Sequence, residues 1–378
     1  MNWIAFQMLT GDKAKFFGII FGIAFASLLI AQQSSIFCGL MLMTTSQIKD
    51  IQGADIWVMD PNVQFVDDLK PLSENDLYRV RGVDGVEWAV RLYKNLSRAR
   101  LDNGNFQQVI LLGLDDATMV GAPREITLGS LADLRQPDAI IIDEAGYAQL
   151  WPGQPFELGK TLEMNDRRAV IVGICKASRT FQTFPVVYTR FSQAVQFAPP
   201  ERKVLSFVLA QPEAGLSAEE VARRISAQTG LKAMPRDDFA WLTIQYYLEK
   251  TGIPMNFGIT VLLGFLVGSA IAGQTFYTFT IENLKQFGAL KAMGVSNFGV
   301  VAMVLLQALV VSSLGYAIGV GLAAAFGEIT KGQSKLAFFM PWEVLALTAL
   351  AVVVIALISS LLSVRRVLVL EPAIVFRG

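Results

Sequence analysis

The sequence predicts an α-helical membrane protein with four transmembrane helices and a large mixed α/β extracytoplasmic domain between the first and second. Three observations carry this expectation. The runs 16–43, 254–279 and 298–326 hold no acidic or basic residue, and 342–364 holds only Glu343 near its start. Each is long enough for the roughly 20 residues that a helix needs to cross a bilayer's hydrocarbon core. The chain is 53% hydrophobic and 17% charged, with a mean hydropathy of +0.45, whereas soluble domains run nearer a quarter charged. Between the first two runs, residues 44–253 change character: charges, prolines and turn dipeptides return, and apolar residues fall into short groups.

Residues 1–15, MNWIAFQMLTGDKAK, place Trp3, Ile4, Phe6, Met8 and Leu9 ahead of Asp12, Lys13 and Lys15, as expected of an N-terminal interfacial helix. Lys13 and Lys15 before an apolar run also fit a cleavable leader. The run that follows is too long for one, however, and no small-residue cleavage site closes it. Residues 16–43 are therefore expected to form transmembrane helix 1 and a stalk, with polarity returning at Gln32 to Ser35.

Within 44–253, Asp55 to Met59 reads as a strand closed by Asp60 and Pro61. Leu96 to Leu101 and Gln107 to Leu112 flank Asp102-Asn103-Gly104, a hairpin signal because such turns need residues that tolerate positive φ. Ala139 to Ile142 is a buried-strand run, and Thr161 to Met164 is expected to pair with Ala169 to Ile174 across Asn165-Asp166. Val204 to Ala210, Ser217 to Gln228 and Leu231 to Met234 read as a β-α-β unit whose helix opens on Ser217 and Glu220, a capping-box spacing. Subdomain boundaries are expected near Pro71 and Pro199-Pro200. Asp237 to Thr251, with Trp241, Tyr246 and Tyr247, reads as a second stalk helix.

The second span, 254–279, and the third, 298–326, are joined by 280–297, read as a short cytoplasmic helix. In it Leu284, Phe287, Leu290 and Met293 form a loose apolar stripe, while Lys285, Gln286 and Lys291 fall elsewhere. Gly294 is placed to end this helix in a left-handed conformation and Ser296 to cap the next. A plain solvated turn is the competing reading. Residues 327–341 then read as an extracytoplasmic loop, 342–364 as the fourth span, and 365–378 as a cytoplasmic tail. Four spans put both ends on one side. Lys13, Lys15, Lys285, Lys291, Arg365, Arg366 and Arg377 on that side outnumber Lys49, Arg236, Lys250, Lys331 and Lys335 on the other, so the positive-inside rule favours a cytoplasmic location for the ends.

Composition removes several function classes. The chain has no histidine, which excludes Ser-His-Asp, Cys-His and His-zinc chemistry. Net charge is zero, against a nucleic-acid partner held by phosphate contacts. Cys38 and Cys175 fit ordinary packing, and no metal site is expected. Gly153 to Thr161, GQPFELGKT, approaches a phosphate-binding loop, but five residues separate its glycines, Pro155 removes a donor, and a strand follows. The chain is thus expected to have no catalytic residues and to hydrolyse no ATP by itself. Asp67-Asp68, Asp115-Asp116, Asp143-Glu144 and Asp237-Asp238 read as solvated or capping carboxylates. No span carries an ionisable residue in its middle, which argues against an ion-coupled transporter. Gly18/Gly22, Gly264/Gly268 and Gly315/Gly319 each place two glycines one turn apart, a spacing that lets helices approach closely, within one chain or between two copies.

One span, a large outer domain, three more spans and a basic tail resembles the permeases of MacB/FtsX-type ABC transporters. Glu282, Phe287-Gly288, Lys291, Ala292 and Gly294 match in order and spacing the Glu, apolar-Gly, basic, Ala and Gly pattern of that family after its second span. Leu370-Glu371-Pro372-Ala373 with Val375-Phe376 resembles its closing acid-Pro motif, and Asp55 to Asp60 with Pro372 to Arg377 looks most like the DevC-like branch. Two positions depart: the family often has an acid where Gln286 and Gln307 stand, so coupling through charge is not expected here. The resemblance implies a permease in the bacterial inner (plasma) membrane, working as two copies. Each copy would engage a separate cytoplasmic ABC ATPase, which alone holds ATP and magnesium, through Glu282, Lys285, Gln286, Phe287, Gly288, Leu290, Lys291, Met293 and Gly294. It further implies a periplasmic adaptor, a TolC-like outer-membrane duct, and export of lipid, glycolipid, peptide or drug by force transmission to the outer domain. An FtsX-like regulator of a cell-wall enzyme is the alternative; a membrane-anchored enzyme is disfavoured by the missing histidine.

Overall fold

In chain order the elements are α1 (Asn2–Gly11), α2 (Lys13–Thr44), α3 (Ser46–Asp50), β1 (Ile56–Met59), α4 (Glu74–Arg81), β2 (Val86–Arg100), β3 (Phe106–Leu114), β4 (Glu125–Gly129), β5 (Ala139–Asp143), α5 (Glu144–Leu150), β6 (Thr161–Met164), β7 (Arg167–Lys176), β8 (Val186–Arg190), α6 (Phe191–Ala194), β9 (Phe207–Pro212), α7 (Ala218–Thr229), β10 (Lys232–Pro235), α8 (Arg236–Lys250), α9 (Ile253–Glu282), α10 (Leu284–Ala292), α11 (Asn297–Gln333) and α12 (Trp342–Leu368). The computed structural model describes residues 2–199, 204–333 and 336–368. Two units result: the chain up to Leu40 together with the chain from Gly252 on, and Met41–Thr251.

In the outer unit, ten strands form one sheet in the order β10-β1-β9-β2-β3-β8-β5-β7-β4, with β6 beside β2 and β7. Along β10-β1-β9-β2 each neighbouring pair of strands is antiparallel. Joined as β1-α4-β2 and β9-α7-β10, they form a ferredoxin-like split β-α-β arrangement. The 15-residue β2 is the seam: Val86 to Leu92 pairs with β9, and Tyr93 to Arg100 pairs with β3. Everything from β3 to β8 is thus an insertion between the third and fourth elements of the split unit. The expected boundary at Pro71 is corrected accordingly, since that proline merely leads into α4. Proline punctuation marks a loop, but only strand pairing over long sequence distance shows which halves belong together.

Burial on both sheet faces follows the strand period of two. From β1, Ile56 and Val58 pack with Leu77 and Val80 of α4 and Val221 and Ile225 of α7. Trp57 and Met59 point the other way, among Ile48, Phe207 and Phe239. The hairpins form as the sequence implies: Gly104 has φ +82°, and Asn165 and Asp166 have φ +51° and +58°, the backbone of a two-residue turn that suits the twist of paired strands. Ser217 caps α7 by accepting from the Glu220 N–H at 3.2 Å.

In the membrane unit, α2, α9, α11 and α12 are long and apolar enough to cross a membrane. Two boundaries differ from the sequence reading. Residues 1–15 are not one helix, because Asp12 accepts from the Lys15 N–H at 3.2 Å and so caps α2, leaving Lys13 and Lys15 in that helix. The loop at 327–341 is shorter than expected, since α11 continues to Gln333 and takes in Glu328 and Lys331. Gly327 does not stop the helix. A methyl group there would lie 2.2 Å from the Phe338 ring, so the glycine makes room for the returning chain. Lys335, the tail motif Leu370 to Arg377 and Pro200 of the expected boundary at Pro199-Pro200 lie outside the described residues.

Candidate functional site

The nine-residue helix α10 is too short to persist alone, because nucleation costs more than so few hydrogen bonds return. Its two ends are fixed. At its start the Asn283 Nδ2 donates to the Phe279 carbonyl at 2.8 Å, closing α9, while the Asn283 carbonyl accepts from the Phe287 N–H at 3.1 Å. At its end the Val295 N–H donates to Leu290 O and the Gly294 N–H to Lys291 O, each at 3.0 Å, with Gly294 at φ +94°. That pair of bonds is a Schellman motif, and the contact of Val295 with Leu290 completes it. Ser296 Oγ then accepts from the Gly299 N–H at 3.2 Å and opens α11.

The helix has two chemically distinct faces. Phe287 is fully buried among Leu9, Ile19, Ile20, Phe279 and Val300, and Gly288 and Leu290 are buried beside it. Lys285, Gln286, Met293 and Gly294 are exposed, Met293 at 73%. The expected stripe thus holds for Phe287 and Leu290 but not for Met293, because the turn at Gly294 rotates Met293 off the buried face. Lys291 is half-buried and its Nζ donates to Leu368 O at 3.2 Å, holding the end of α12. Phe287, Gly288 and Leu290 brace α10 from below, and the exposed residues are the ones a partner could touch.

Glu282 ends α9 and pairs with Lys15, which also pairs with Asp12. The hydrogen bond from Lys15 holds the Asp12 carboxyl below the usual carboxylate range. One ammonium therefore ties the start of α2 to the end of α9, a clamp that sequence spacing could not reveal across 267 positions. Gln307 Nε2 donates to the Ala5 carbonyl at 2.9 Å in a buried setting, fixing α1 on α11. An ionised acid at that position could only accept, so the departure at Gln307 has a local reason.

All three glycine pairs lie in contacts made by α2: Gly18 and Gly22, within α2, face α9, while Gly264 and Gly268 of α9 and Gly315 and Gly319 of α11 face α2. Methyl groups at Gly22 and Gly268 would lie 2.7 Å from Ile271 and 2.2 Å from Ala26, and those at Gly315 and Gly319 would lie 2.7 Å from Ile23 and 2.4 Å from the Ala24 carbonyl oxygen. Gly18 and Gly264 sit less tightly, at 3.3 Å from Thr275 and 3.0 Å from Leu29. The first possibility left by the spacing, contact within one chain, is realised at these glycines.

The remaining chemical candidates make structural contacts. Lys160 bonds Gln154 and lies 5.2 Å from the Tyr147 and Trp151 ring centres, and β6 rather than a helix follows it. Asp143 caps α5 through the Gly146 N–H at 3.0 Å and also accepts from the Val186 N–H at 2.7 Å, while burial pushes its carboxyl up to about 6. Asp115 accepts from the Thr118 N–H at 3.1 Å, Asp116 from the Ser192 N–H at 3.3 Å, and Asp67 from Lys94. Among the described residues no cluster of Cys, Asp and Glu could hold a metal ion.

Comparison with known proteins matches both parts of the chain. Residues 16–228 match the family model for the MacB-like periplasmic core domain, and residues 258–372 match that for the FtsX-like permease C-terminal. Uncharacterized ABC transporter permeases of Mycobacterium tuberculosis (strain ATCC 25618 / H37Rv) and Mycobacterium bovis (strain ATCC BAA-935 / AF2122/97) are 24% and 28% identical over 224 residues, 58% of this chain and 58% of each relative. The chain therefore spans less than two thirds of their length. Among solved structures, the extracellular domain of the noncanonic ABC-type transporter YknZ from Gram-positive bacteria aligns at 19% identity with a TM-score of 0.35, covering 48% of this chain and 98% of that one. The periplasmic region of MacB from Actinobacillus actinomycetemcomitans aligns at 15% identity and 0.38, covering 54% and 96%.

Proposed function

The chain belongs to the MacB/FtsX family of ABC transporter permeases, and from that premise we propose that α10 is the lever through which a separate cytoplasmic ATPase drives the outer domain. The observation that carries this reading is the division of α10 into a buried brace, Phe287 and Leu290, and an exposed face of Lys285, Gln286 and Met293. A short helix closed by a Schellman turn at its end and fused to a membrane helix on each side transfers a push at its exposed face to α9 and α11 without yielding. Glu282 acts inside this lever through Lys15, and docking falls to the exposed residues. Two copies of the chain in the bacterial inner membrane, each with an ATPase that binds ATP and magnesium, would then move their outer domains against a periplasmic adaptor and an outer-membrane duct. The absence of mid-span charge supports force transmission to cargo outside the bilayer. The match of 258–372 to the FtsX-like permease C-terminal equally favours regulation of a cell-wall enzyme by the same lever.

The test is the double substitution Lys285→Glu with Met293→Asp, which alters the exposed face and leaves the brace intact. It is expected to abolish co-purification of the ATPase and transport together while the chain still reaches the membrane. Unchanged co-purification and transport would refute the lever. A native pull-down separates the two uses, with an adaptor for export and a cell-wall hydrolase for regulation.

A further inference from the structure

The segment of the outer unit that joins β1 to α4 is pinned by two lysines, Lys70 from within the segment itself and Lys232 from a distant part of the chain. Lys232, at the start of β10, donates from Nζ to the Val63 carbonyl at 2.9 Å, and Lys70 donates from Nζ to the Asn62 carbonyl at 2.8 Å. Two ammonium groups are thus fixed on consecutive carbonyls and line one cavity of about 570 Å³, with Lys250 and Tyr246 of α8 on its other wall.

The charge of this cavity is unbalanced. Its lining holds Lys70, Lys232 and Lys250 against one carboxylate, Glu249, which accepts from Gln245 Nε2 at 2.7 Å. Asp68 stands behind Lys70 at 3.6 Å and also accepts from the Gln64 N–H at 2.9 Å. Asp60 likewise stands off the lining, accepting from the Asn62 N–H at 2.8 Å and Nδ2 at 3.0 Å, so among the lining residues three cations face one anion. Lys232 is part-buried, and desolvation lowers its pKa despite the nearby Asp68. Each ammonium has three donors, and the carbonyl takes one from each. Holding three like charges around one part-buried cavity costs energy that a bound anion offsets.

We propose that this cavity binds a phosphate-bearing anion, with Lys70, Lys232 and Lys250 as its ligands. Lysine suits phosphate as a compact point charge, and the volume exceeds that of a bare phosphate, leaving room for an attached glycerol or sugar. Lys250 stands three residues before Ile253, where α9 begins, so an anionic lipid headgroup and a soluble phosphate ester share the chemistry this site recognises. The inference is independent of the lever reading.

The full chain in dodecyl maltoside micelles is titrated with dioctanoyl phosphatidylglycerol, glycerol 3-phosphate and dioctanoyl phosphatidylcholine, and thermal unfolding is followed. A saturable rise in melting temperature with phosphatidylglycerol alone identifies a lipid headgroup; a rise with glycerol 3-phosphate as well identifies the phosphate ester itself. Phosphatidylcholine is expected to give no saturable rise. In Lys70→Gln with Lys232→Gln the midpoint concentration is expected to increase at least tenfold. Lys250→Gln, at the end of α8, keeps the test open if the double variant does not fold, with an expected increase of about threefold. No saturable rise with either anion, or midpoints unchanged in K250Q and in the double variant, would overturn the proposal.

Discussion

Replacing Phe287 by Ala tests whether α10 is held by its buried face. Phe287 is fully buried among residues of α1, α2, α9 and α11. Phe→Ala changes at such sites cost about 3–5 kcal/mol, the transfer term plus the cavity left behind. The helix has nine residues and little stability of its own, so most of that loss falls on the equilibrium between docked and undocked α10. At about 1.4 kcal/mol per factor of ten, a loss of ~3 kcal/mol raises the undocked fraction by roughly a hundredfold or more. Amide hydrogen exchange of the detergent-solubilised full chain reads this directly. Peptides covering 284–293 are expected to exchange about a hundred times faster in Phe287→Ala, with the middle of α9 unchanged. Lys285→Ala, on the exposed face, is expected to leave exchange as it was. Equal protection of α10 in wild type and Phe287→Ala would show that the buried face does not hold the helix, and the lever argument would lose its mechanical basis.

Two further perturbations probe the bundle and the outer unit. Gly319→Ala puts a methyl group 2.4 Å from the Ala24 carbonyl oxygen, whereas Gly321 has open space around its Cβ position. Gly319→Ala is therefore expected to cost about 1–3 kcal/mol by overpacking and to lower the melting temperature, while Gly321→Ala leaves it unchanged; equal effects would refute the close approach. Asp143→Asn probes a carboxyl that burial raises from 3.8 to about 6. Between those values the folded chain keeps a proton that the unfolded chain has released, so the Asp143 contribution is fully present below pH 3.8 and is lost as pH rises through 6. The stability of Asp143→Asn relative to wild type is expected to improve by up to about 3 kcal/mol between pH 4 and 8. Denaturant unfolding followed by tryptophan emission checks this, and a pH-independent difference would refute it.

The sequence by itself determined the elements that depend on neighbours in the chain. Four apolar runs, the glycine and Asn-Asp turns, the Ser217 cap and the left-handed Gly294 all follow from local composition, because hydropathy, φ tolerance and capping act within a few residues. Local signals failed where a residue had two possible uses. Gly327 reads as the start of a loop but packs on Phe338 within α11, and Met293 keeps the stripe's spacing but is turned off the buried face.

Only the tertiary structure decided which distant residues meet. The seam within β2 makes the outer unit a split fold with an insertion, and no punctuation in the chain announces it. Likewise, the Lys15–Glu282 clamp, the Gln307–Ala5 tether, the close glycine contacts of α2 with α9 and α11 and the gathering of Lys70, Lys232 and Lys250 around one cavity each join residues that no local pattern links. The physical reason is the same in each case. A helix or turn is specified by what its own backbone needs, whereas a contact is specified by what two surfaces exclude together, and the second surface is not written beside the first.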